Sequence, residues 1–183
     1  MKKLIVAAAG LTVLAVLTPA TSASAQVVNN NTTIPIIVVS LFTPGTVAVP
    51  VDPAVATAVV NASETIQRDQ TVVSPITGVA IPPEILRVVI AMMTTATPEA
   101  RRQVQDALSQ SGASGAVVNQ LMSNLPSLLS NSTPGQLQSA LSAFNGLVNN
   151  SNAAFLVNPP AEFLAIHAIL LQISNAANAV PHP

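Results

Sequence analysis

From residue 52 onward apolar side chains return every three or four positions, the period of an α-helix with one buried face. Val55, Val59, Ala62 and Ile66 form the first stripe. Asp52 and Pro53 mark its start, because a short carboxylate accepts from the first free amides and proline suits the first helical position. This helix is predicted to end near Gln70, with Glu64 and Arg68 placed as an i,i+4 pair. A connector with short extended pieces is expected over 71–81. Pro82-Pro83-Glu84 then opens a second helix that is apolar nearly all round, through Ile85, Leu86, Val88, Val89, Ile90, Met92 and Met93. Thr97-Pro98-Glu99 repeats the start signal, with Ala100, Val104, Ala107 and Leu108 inward and Gly112 placed to close the helix. A fourth helix is expected from about Gly115, with Val118, Leu121, Met122 and Leu125 inward and Pro126 ending or kinking it. Thr133-Pro134 starts a fifth, with Leu137, Leu141, Phe144 and Val148 on one face, and 149–152 reads as a polar turn.

The last stretch, 159–177, organises the others. Phe163, Ile166, Leu170, Ile173 and Ala177 share one stripe, with Leu164, Ala168 and Leu171 on the flank beside it. A helix apolar over so much of its circumference is buried on several sides, and at 1.5 Å per residue it spans roughly 25 Å, the width of a small domain. The expected fold is mainly α: a compact bundle of five or six short helices around a central C-terminal helix. Upstream, 36–42 is dense in β-branched residues, Thr43-Pro44-Gly45-Thr46 suits a turn, and 47–51 is again apolar. This predicts a small N-terminal β-hairpin. A short buried helix over 35–42 is the other reading, because a seven-residue apolar run does not decide its own period.

The first 25 residues have the layout of a secretory signal peptide. Lys2 and Lys3 lead, an apolar run follows over 4–17, and Ala23-Ser24-Ala25 precedes Gln26. The run is shorter than the about 20 residues a membrane-spanning helix needs, so no stable membrane anchor is expected after cleavage. The expected organisation is a cleaved signal at 1–25, a flexible polar arm at 26–33, one mainly helical domain at 34–180 and a mobile tail at 181–183. The expected location is secreted, in the periplasm or outside the cell.

Charge changes the picture most. Only 7% of the 183 residues are charged, against about 25% in ordinary soluble domains. Beyond residue 25 there is no Lys, and four Arg face seven Asp and Glu. Nucleic acid is excluded as a partner, because its recognition needs clustered cations. The polar surface must be made of Asn, Gln, Ser and Thr, which protect less against self-association than charges do.

Candidate chemistry is sparse. There is no Cys, hence no disulfide and no thiolate metal site. No nucleophile elbow, phosphate-binding loop, dinucleotide fingerprint, zinc helix or calcium loop occurs, so no cofactor is implied. Asp52, Glu84, Glu99 and Glu162 all fall at helix starts, where the helix dipole accounts for them. His182 lies in the Pro-His-Pro tail. His167 lies mid-helix between Phe163 and Leu171 and reads as a core or boundary histidine with one satisfied nitrogen. With no Trp and no Tyr, the usual stacking platforms for sugars and bases are missing.

The expectation is therefore a secreted, non-enzymatic structural or interaction protein that associates with itself or with a protein partner. The alternative is a carrier of a small apolar ligand held between helices, with Val89, Met92, Met93, Phe163, His167 and Leu170 as the pocket.

Overall fold

A computed structural model describes residues 41–47 and 52–181. Seven helices occur among them: α1 (Pro53–Asp69), α2 (Pro83–Thr94), α3 (Pro98–Gln110), α4 (Gly115–Asn124), α5 (Pro134–Asn150), α6 (Ala153–Val157) and α7 (Ala161–Asn178). The mainly helical expectation holds, with one more helix than the upper count. Most of the expected hairpin, and the helix that rivals it, lies outside the described residues. Within them Leu41 and Phe42 are helical and 43–47 has no regular structure. The segments assigned to signal and arm also lie outside.

Local chemistry sets the helix starts. Asp52 Oδ1 accepts from the Ala54 amide at 2.8 Å, and Thr97 Oγ1 from Ala100 at 3.4 Å. Thr133 and Gln136 form a reciprocal capping box. Glu84, Glu99 and Glu162 each sit in a first turn. At the end of α3, Gly112 adopts φ +95°, a region glycine enters without the penalty that a Cβ brings. Past α4, Pro126 follows the cap residue Leu125, and Ser127 turns the chain at φ +63°.

Two sequence expectations shift by small amounts. α5 continues through Asn149 and Asn150, so the polar turn is narrower than 149–152; Asn150 Nδ2 donates back to the Gly146 carbonyl at 2.8 Å and completes another turn. Arg68 pairs with Asp69 at 3.0 Å and not with Glu64. Both partners of that ion pair are well exposed, so it contributes little to stability.

Helix α7 packs against α1, α2, α3 and α5, while α4 bridges α3 and α5. More than half of its circumference is buried. The expected stripe of Phe163, Ile166, Leu170, Ile173 and Ala177 lies wholly inside. Of the expected flank Ala168 is buried, whereas Leu164 and Leu171 reach the boundary; on the other side Ala165 and Ile169 are fully buried. Both flanks are apolar in sequence, and the packing of the neighbouring helices decides how deeply each residue is covered.

The two longer connectors are tied to the bundle. Residues 72–81 form a tight antiparallel turn with one bridge, Val73 to Ala80, and Ser74 is sealed beneath it. Residues 125–133 lie across α1 and α2. The Leu129 amide donates to Met93 O at 2.9 Å, Gln67 Nε2 to Leu129 O at 2.6 Å, and Ser130 Oγ to Thr94 O at 2.9 Å. The hydroxyls of Ser63 and Ser132 meet at 2.7 Å inside the core.

Candidate functional site

The four phenylalanines of the chain meet at one point. Phe163 is the hub: its ring centroid lies 4.9 Å from Phe144, 5.0 Å from Phe155 and 5.5 Å from Phe42. They come from four segments: the stretch before α1, α5, α6 and α7. All four are buried. Aromatic rings at these separations and tilts gain attraction beyond the area they bury.

His167 joins this cluster one turn along α7 from Phe163. It stacks on Phe144 with centroids 5.7 Å apart and meets Phe42 edge-on at 6.1 Å. Its residue exposure is 1%. The ring lies among phenylalanines, and the main chain of Leu41 is the one polar group that acts on it, short of a well-formed hydrogen bond. Burial lowers its pKa from 6.5 to about 4, and the imperfect hydrogen bond with the main chain of Leu41 opposes that fall. The imidazole is thus neutral at pH 7.

A general base needs access to substrate and a group that orients it. His167 has no well-formed orienting hydrogen bond, and Phe42 and Phe144 cover its ring. Among the described residues no group of three or more His, Cys, Asp or Glu is gathered to hold a metal. No described helix is long and apolar enough to cross a membrane.

The six residues expected to form an apolar pocket lie on two helices that touch, α2 and α7. Val89, Met92, Met93, Phe163, His167 and Leu170 are each at most 1% exposed. They are brought together as parts of the packed interior.

A separate feature, which the sequence did not single out, lies at the surface. Gln120 and Asn124 of α4 and Gln138, Ser139 and Ser142 of α5 line an open groove of about 390 Å³, with Ala143 at its floor. Every polar group lining it is an amide or a hydroxyl, so it offers donors and acceptors without charge. The neighbouring α3–α4 contact uses the same chemistry: Gln105 Nε2 donates to Asn119 Oδ1 at 3.0 Å. The available signal was the run of Gln, Asn and Ser on the polar faces of both helices, but which faces adjoin depends on their packing.

Comparison with protein-family models, with curated proteins and with solved structures found no match for this chain.

Proposed function

We propose that this protein is a secreted, non-enzymatic interaction module that associates with further copies of itself or with a protein partner through an uncharged amide and hydroxyl surface. The observation that carries the reading is the division of its chemistry. All four phenylalanines and His167 are turned inward, while the α4–α5 groove presents Gln120, Asn124, Gln138, Ser139 and Ser142 outward. Groups of this kind bind by hydrogen bonds and by water that they share, with little charge to keep like copies apart. Export rests on the Lys2-Lys3 start, the apolar run at 4–17 and Ala23-Ser24-Ala25.

Native mass spectrometry of residues 26–183, purified from secreted expression, tests this reading. A mass that is a multiple of one chain supports it. Gln138→Lys with Ser139→Lys then places like charges on the groove and returns the assembly to single chains if the groove is the contact. A single-chain mass that also persists with extracellular protein added counts against it.

A second reading is supported by the two methionines, Met92 and Met93, fully buried on α2, a helix that packs against α7. Methionine is unbranched and repacks readily, which suits a wall that parts for a small apolar ligand. An extra mass that disappears on denaturation favours this carrier, and Met93→Trp is then expected to block uptake while helicity is retained. Unchanged uptake with full helicity argues against that pocket.

A further inference from the structure

We draw no further inference here: the strongest candidate, the open surface groove between α4 and α5 lined by Gln120, Asn124, Gln138, Ser139 and Ser142, belongs to the site already described, and nothing in the structure shows what covers it.

Discussion

Phe144 and His167 stack across α5 and α7 with ring centroids 5.7 Å apart and planes inclined by 29°. The pair places a titratable ring where only an apolar one is fully at ease. A neutral imidazole still has one donor and one acceptor, and here neither has a well-formed hydrogen bond, the Leu41 main chain being the polar group that acts on the ring.

Replacing His167 by Leu is therefore expected to raise stability at pH 7.5 by about 1–2 kcal/mol, by removing two poorly paired polar atoms at similar volume. Urea unfolding of both proteins checks this. A loss of 2 kcal/mol or more would show that the ring is well paired in solution.

The same residue makes stability depend on pH. Its folded pKa of about 4 lies below the unfolded 6.5, so the unfolded chain binds the proton first and stability falls as pH drops through that window. The contribution of His167 is expected to be constant above pH 6.5 and to decline by about 3 kcal/mol on approach to pH 4. Carboxylates protonate over the lower part of this range, so the quantity to measure is the difference between the wild-type and His167→Leu urea curves at each pH.

Phe163 touches the other three phenylalanines. Phe163→Ala removes the hub and is expected to cost about 3–5 kcal/mol, enough to unfold a protein of ordinary stability near body temperature. Val157, 82% exposed at the end of α6, is the control: Val157→Ala is expected to stay within about 0.5 kcal/mol. Thermal melts followed by circular dichroism separate the two.

Gly112 faces two constraints at once. Its φ is +95°, and a Cβ built there would lie 3.1 Å from Asn152 Nδ2. Asn152 caps α6 by accepting from Phe155 at 2.8 Å, so it has little freedom to retreat. Gly112→Ala is expected to cost about 1–3 kcal/mol. In an Asn152→Ala background the cost is expected to shrink but not vanish, because the backbone strain remains. A cycle of the four proteins gives both parts.

The buried Ser63–Ser132 contact couples α1 to the connector before α5. Each hydroxyl also reaches a main-chain carbonyl, Val59 O for Ser63 and Leu128 O for Ser132. A double-alanine cycle is expected to show coupling of about 0.5–1.5 kcal/mol. Zero coupling would mean that each serine is satisfied by its own carbonyl alone.

Much of the fold was readable because its signals are local. Asp52, Thr97 and Thr133 with the prolines after them mark helix starts, since a cap acts on amides two or three residues away. The stripe from Phe163 to Ala177 identifies the buried face of α7 for the same reason: its period is a property of one helix. α6 was not legible, because five residues show no period. Its one cue is Asn152 placed three residues before Phe155.

The sequence by itself determined six of the seven described helices, their order and their main inward stripes. It also showed that the described helices could draw on no cysteine and few charges. Only the tertiary structure decided that Phe42, Phe144, Phe155 and Phe163 converge, that Ala165 and Ile169 are covered where Leu164 and Leu171 are not, and that His167 has no well-formed hydrogen bond at either nitrogen. The physical reason is range. Capping and periodicity act within a turn or two of one helix, whereas the surroundings of a ring are set by segments up to 125 residues apart in the chain, as Phe42 and His167 are.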